Sequence, residues 1–303
     1  MNEQGRKPQD SDRPPSDHFE FGANWSRFLR HVDENRIATA ISSLQTMLRT
    51  ESLAGKTFLD VGSGSGLFSL AAHRLGASVV SLDCDPQSVA CTQELKRRFA
   101  KEQPDWQILP GSILDEGLVE SVGRFDVVYA WGVLHHTGEM WKAVARVARS
   151  VNEGGYFWLA IYNDQQYVSR AWWNIKRWYQ RLPRAMRPAY VALIGGVLFC
   201  KRALVTLLAC LLRLVTLRNP LQPIQNWFSE RQSRGMLAWY DLMDWVGGWP
   251  FEVARPEEVF RFLRNRGFTL AELVTCGDGH GCNEYLFRRS AEPIIPGSEH
   301  SDR

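Results

Sequence analysis

No two of the six cysteines stand as a Cys-x-x-Cys pair, and the first twenty residues are polar and proline-bearing with no apolar leader run. Those absences argue against a zinc ribbon, a disulfide frame and a secreted chain. Cys84, Cys91, Cys200, Cys210, Cys276 and Cys282 are therefore expected to be reduced core thiols of a cytoplasmic protein, and no metal-ligating set is expected. An uncharged apolar run of membrane-spanning length is also missing. The most apolar stretch, 189–217, is uncharged only from Pro188 to Cys200, short of the roughly 20 residues that a crossing needs. Lys201 and Arg202 would then sit near the bilayer centre, at about 2.5–3.5 kcal/mol each. No crossing is expected.

Acidic residues are scarce in one segment only. Between Asp164 and Gly235 twelve Lys or Arg face two acids, Asp164 and Glu230, which makes that segment +10. The whole chain is +3, so the remainder is −7. Trp172, Trp173, Trp178, Tyr179 and Tyr190 accompany the basic charge. Basic helices with interfacial tryptophans and an apolar face fit the surface of an anionic membrane. A helical lid over a site, or a dimer face with solvated arginines, fits the same residues. Nucleic acid is the third reading of a basic, aromatic patch, and the long aliphatic run argues against it.

With 45% hydrophobic residues and 12% aromatics, the chain is rich enough in apolar side chains to bury a substantial core. Residues 1–18 and 291–303 read as disordered tails. Between them, Phe58-Leu59-Asp60-Val61 reads as a buried strand that opens into Gly62-Ser63-Gly64-Ser65-Gly66. A helix-compatible stretch, Leu67 to Leu75, follows at once. Alternate glycines allow positive φ and let a turn pass close beneath a ligand. A nicotinamide-dinucleotide fingerprint needs a further glycine where Leu67 stands, which disfavours an oxidoreductase.

A second strand, Ala77 to Asp83, ends in a carboxylate placed to accept bonds from both ribose hydroxyls of a nucleoside. Trp106 to Leu109, Arg124 to Trp131 and Gly154 to Tyr162 read as three further strands, and Phe268 to Thr275 with Asn283 to Phe287 as the last two. The fold class expected is α/β: a doubly wound, seven-stranded, mostly parallel sheet. Residues 19–163 and 239–290 would form the core, and 164–238 a basic, apolar helical insertion. The string Trp239 to Glu252, which includes Tyr240, Asp244 and Trp245, reads as a loop that contributes to a substrate site. A helix is expected to start at Pro256-Glu257-Glu258. The turn Gly277-Asp278-Gly279-His280-Gly281 is either a plain hairpin or one that brings His280, Cys282 and Asn283 to the substrate.

The Asp-x-Gly-x-Gly-x-Gly string and the acid at Asp83 resemble the motifs of class I methyltransferases that use S-adenosylmethionine. Phe21-Gly22-Ala23-Asn24-Trp25, the Trp131 to Thr137 loop and the Asp244 to Glu252 string are similar to the group related to ubiquinone-biosynthesis O-methyltransferases. That resemblance implies roles. Asp60 would orient the methionyl amine. Gly62, Ser63, Gly64 and Gly66 would pass beneath the methionine and ribose. Asp83 with Cys84 would hold the ribose, Ser112 and Ile113 would meet the adenine edge, and Trp131 would also contact the cofactor. Those enzymes carry an acid before one histidine in the fourth-strand loop; here His135 occupies the acid's place beside His136.

The sulfonium methyl is already activated, so the protein must mainly align the reacting atoms. A hydroxyl acceptor benefits from a base, and histidine is the usual one. His136 is the first candidate and His135 the second. The acceptor expected is a small or lipid-linked hydroxyl compound; a glycan, nitrogen or carbon acceptor, or a cofactor-binding scaffold without catalysis, stays open.

Overall fold

The computed structural model describes residues 21–100, 105–226, 238–277 and 281–290, with the side chains of 23, 238–241 and 244 outside that description. The expected tails and His280 also lie outside it. Seven strands form one sheet: β1 (Thr57–Val61), β2 (Ser78–Asp83), β3 (Trp106–Pro110), β4 (Phe125–Trp131), β5 (Val151–Tyr162), β6 (Phe268–Val274) and β7 (Cys282–Arg289). Their spatial order is β3-β2-β1-β4-β5-β7-β6. The first five run parallel, and β7 pairs antiparallel with both β5 and β6. The expected α/β architecture is therefore the one observed.

Alternation along the strands builds two cores, because successive side chains point to opposite faces. Leu59, Val128, Ala130, Phe157 and Leu159 face α5 (Glu116–Val122), α6 (Met140–Arg149) and α10 (Pro256–Arg264). Phe58, Val127, Tyr129 and Trp158 face α2 (Glu34–Leu48), α3 (Leu67–Arg74) and α4 (Pro86–Phe99). At its N-terminus α10 has Pro256 in the first turn, and Glu258 accepts the Arg255 N–H at 2.9 Å, as the sequence implied.

A third cluster lies outside these two. It joins α7 (Tyr167–Arg181), the N-terminal half of α8 (Arg187–Val215) and α9 (Ala238–Gly247) through Trp172, Tyr179, Val191, Val246 and Phe251. The string expected as a loop from Trp239 is thus helical to Gly247. Leu242, Trp245 and Val246 stand at i, i+3 and i+4, so one helical face meets the cluster. The loop proper begins at Gly248 and contains a cis Trp249–Pro250 peptide. Trp172 is buried in this cluster, whereas Trp178 is exposed, so Trp172 cannot serve as an interfacial anchor. Of the six cysteines, all free, only Cys91 is fully buried; Cys84 and Cys200 are exposed. The expectation of core thiols fails for those two because Cys84 sits beyond the end of β2 and Cys200 beyond the packed half of α8.

Candidate functional site

The carboxyl ends of β1, β2 and β4 converge on the glycine turn, which is where ligands bind in open α/β sheets. Gly62, Gly64 and Gly66 have φ of +70°, +55° and +78°, a region that side chains with a Cβ avoid. The turn is held from below: the Gly62 N–H donates to the Leu82 carbonyl at 2.6 Å, and Gly66 N–H to Ser63 at 2.7 Å. Gly66 also caps α3 in the left-handed conformation.

Above the turn lies α1 (Gly22–Phe28). The Gly22 N–H donates to Asp85 Oδ2 at 2.8 Å. A Cβ on Gly64 would lie 2.8 Å from the Trp25 indole, so glycine is what lets that ring pack on the turn. The Phe21 ring lies 5.0 Å from His136.

Asp83, nearly buried, accepts the Gly64 N–H through Oδ2 and the Asp85 N–H through Oδ1, both at 2.9 Å. Burial pushes its carboxyl above the ordinary range, and the charge of Asp85 adds to that, while the two backbone donors oppose it. Asp60 lies deeper, wholly buried. Its Oδ2 accepts the Ser69 hydroxyl at 2.5 Å, and Ser69 meets Ser81 at 2.6 Å, which in turn accepts the Trp106 indole N–H at 2.8 Å. Burial raises the Asp60 carboxyl to about 7 against the Ser69 bond, with Asp83 contributing. Asp60 is therefore placed as the foundation of the turn, bonded to α3.

Ser63 Oγ meets Thr92 Oγ1 at 3.1 Å. Ser112 accepts the Leu114 N–H through its hydroxyl at 3.1 Å and the Asp115 N–H through its carbonyl at 2.9 Å, and the Ile113 side chain belongs to the core. Trp131 is half exposed at the end of β4.

His136 sits beyond β4, partly buried, with Nδ1 2.6 Å from the Pro250 carbonyl. A carbonyl only accepts, so Nδ1 carries the proton and the neutral ring's lone pair is at Nε2. His135 points inward, fully buried. Neither of its ring nitrogens has a hydrogen-bond partner of good geometry, and its centroid is 3.9 Å from the Tyr162 ring. Burial first, then the charges of His136 and Lys176, hold it well below the usual imidazole range, so it is neutral.

Of the substrate candidates, Trp245 meets Tyr162 and Trp172 at 5.3 Å each. Asn283, at the start of β7, is buried and bridges the Cys276 N–H and Asn163 Oδ1, both at 3.1 Å. The side chains of Tyr240 and Asp244 lie outside the described residues. Three groups near the site escaped the sequence reading: Tyr162 against both histidines, the Pro250 carbonyl, and Lys176. The last is fully buried with Nζ over the Trp245 and Phe251 rings at 5.0 and 4.9 Å, and donates to the Trp245 carbonyl. Tyr162, the final residue of a recognisable strand, was the one with a usable signal.

Residues 59–157 match the family described as "Methyltransferase domain". Ubiquinone biosynthesis O-methyltransferase of Methylobacterium sp. is 34% identical over 119 residues, 38% of this chain and 45% of that protein. Ribosomal protein L11 methyltransferase of Staphylococcus aureus is 32% identical over 111 residues, 36% of this chain and 33% of its own. The chain thus spans less than half the length of these curated relatives. Among solved structures, magnesium protoporphyrin IX methyltransferase of Synechocystis PCC 6803 with bound S-adenosylhomocysteine shares the fold. Its TM-score is 0.52 at 14% identity, over 89% of this chain and 94% of that one.

Proposed function

We propose that this methyltransferase domain is active, transferring the methyl group of S-adenosylmethionine to a hydroxyl of a small or lipid-linked acceptor. The observation that carries the reading is the meeting, at the ends of β1, β2 and β4, of a left-handed glycine turn, a ribose-ready carboxylate and a tautomer-fixed histidine.

The residues fit the cofactor. Asp83 spends two backbone bonds on its own loop, about half the lone-pair sites of a carboxylate, so sites remain for ribose hydroxyls. When bound, S-adenosylmethionine supplies a methyl carbon already activated by its sulfonium. The glycine turn would hold the cofactor from below with Trp25 beside it, and Asp83 would bind its ribose hydroxyls. His136 accepts the acceptor's proton at Nε2, and the Pro250 carbonyl steadies the imidazolium through Nδ1–H. His135, neutral and buried, backs Tyr162 and keeps the wall behind His136 apolar.

The relatives include enzymes named for a quinone pathway and for a ribosomal protein at similar identity, so the acceptor is a matter for experiment. Comparing the metabolites and lipids of a deletion strain with its parent should reveal species differing by one methyl group. With that acceptor in hand, His136→Ala should lower turnover by about 10²–10⁴ and leave S-adenosylhomocysteine affinity nearly unchanged. Loss of both together would assign His136 to packing and remove it as the base.

A further inference from the structure

The 29-residue helix α8 has two unlike sides. Val191, Ile194 and Leu198 pack into the cap cluster, and a Cβ on Gly195 would lie 2.5 Å from Leu242 of α9. At about 100° per residue, Leu193, Val197, Leu204, Leu208, Leu211 and Val215 fall on the opposite side. Each of them is 50–80% exposed. They form one apolar ridge about 33 Å long, 22 residues at about 1.5 Å each. Beyond Leu198 no described residue of α8 belongs to a packed cluster. Beyond Leu198 the apolar surface continues around the helix through Val205, Leu207, Leu212 and Leu214, each 56–65% exposed, and a surface of that size marks an interaction site.

The charges identify the partner. Every ionisable side chain with a formal charge on α8 is a cation: Arg187, Lys201, Arg202 and Arg213. At about 100° per residue Lys201 borders the ridge, while Arg202 and Arg213, eleven residues and close to three turns apart, share the side away from it. With no acid on the helix, a second copy offers these cations no partner. An anionic bilayer offers acyl chains to the leucines and phosphates to Lys201 at their border.

By length and composition alone, the span Arg184–Val215 is long and apolar enough to cross a membrane. Its geometry favours lying in the plane. The N-terminal half is anchored on one side to the cap, and Lys201 with Arg202 falls at mid-helix, where a crossing would bury them. We infer that α8 docks this protein on anionic membranes as an in-plane helix, with the Leu193 to Val215 ridge in the acyl boundary. The inference is independent of methyl transfer.

The test is flotation of the full chain with vesicles of phosphatidylcholine, alone or with phosphatidylglycerol. Leu208→Glu with Leu211→Glu probes the ridge, and Val274→Glu, an exposed apolar position on β6, is the control. Melting curves and S-adenosylhomocysteine titration establish that each variant is folded; an absent titration signal in every protein would count against the methyltransferase reading and not against docking. The result expected is flotation with the phosphatidylglycerol vesicles that weakens in high salt and falls at least tenfold in the double variant but not in the control. Four results would overturn the inference. They are no flotation, flotation indifferent to the ridge substitutions, retention through high salt and alkaline carbonate (a crossing helix), and a lipid-free dimer that the same substitutions split.

Discussion

Replacing Asp83 with alanine separates cofactor binding from loop integrity. Asp83 already accepts two backbone N–H groups at 2.9 Å, from Gly64 and Asp85. With the cofactor present it would also accept two ribose hydroxyls. Hydrogen bonds to a charged group are each worth about 1.5–3 kcal/mol, and water replaces part of what is lost. The net loss for two ribose bonds is then about 2–4 kcal/mol, or about 30- to 700-fold in Kd. Stability should respond less. The two orphaned N–H groups cost about 1 kcal/mol each where water reaches them, but removing a carboxylate that burial already disfavours returns part of that cost. Calorimetric titration of folded Asp83→Ala with S-adenosylhomocysteine reads the first effect, and urea unfolding the second. Asp83→Asn, which keeps one acceptor oxygen, should fall between. Unchanged affinity in a folded alanine variant would remove Asp83 from the ribose site and break the reasoning.

Asp60 provides a pH test. Its folded pKa of about 7 lies above the ordinary 3.8, so the native state holds the proton more tightly and stability falls as pH rises from about 4 to about 7. Asp60→Asn should therefore be indistinguishable below pH 4 and more stable than the parent by up to about 4 kcal/mol above pH 8; urea unfolding at those two pH values checks it, and a pH-independent difference would refute it. His135→Phe should raise the melting temperature, since a ring of similar shape replaces two buried nitrogens that lack a hydrogen bond of good geometry. A fall in melting temperature would show that those nitrogens bind something the reasoning omits.

The half of the site built by local chemistry was legible in the sequence. Strand, acid and glycines stand in one short string, and Asp83 ends a strand whose apolar run is unmistakable. Contacts between distant segments were not legible. Nothing in the Trp25 neighbourhood says that its ring will lie on Gly64, and His135 and His136 look alike until one packs under Tyr162 and the other reaches Pro250. Helix α9 was hidden because paired glycines and Trp249-Pro250 close behind it advertise a loop, while its apolar face has a partner only once α7 and α8 are in place. In α8, the Lys201-Arg202 pair argued against a crossing and said nothing against a continuous helix. Charges change what a helix can lie beside, and they leave its backbone hydrogen bonds untouched.

Helix α1 has a kinetic consequence. Gly22 and Trp25 of the helix touch the Asp85 carboxylate and the Gly64 turn, and Phe21, just before it, touches the His136 ring. A nucleoside held between the turn and Trp25 would leave only if α1 moved, and Phe21 would then move away from His136 with it. Release and exposure of the histidine would in that case be coupled through one short helix.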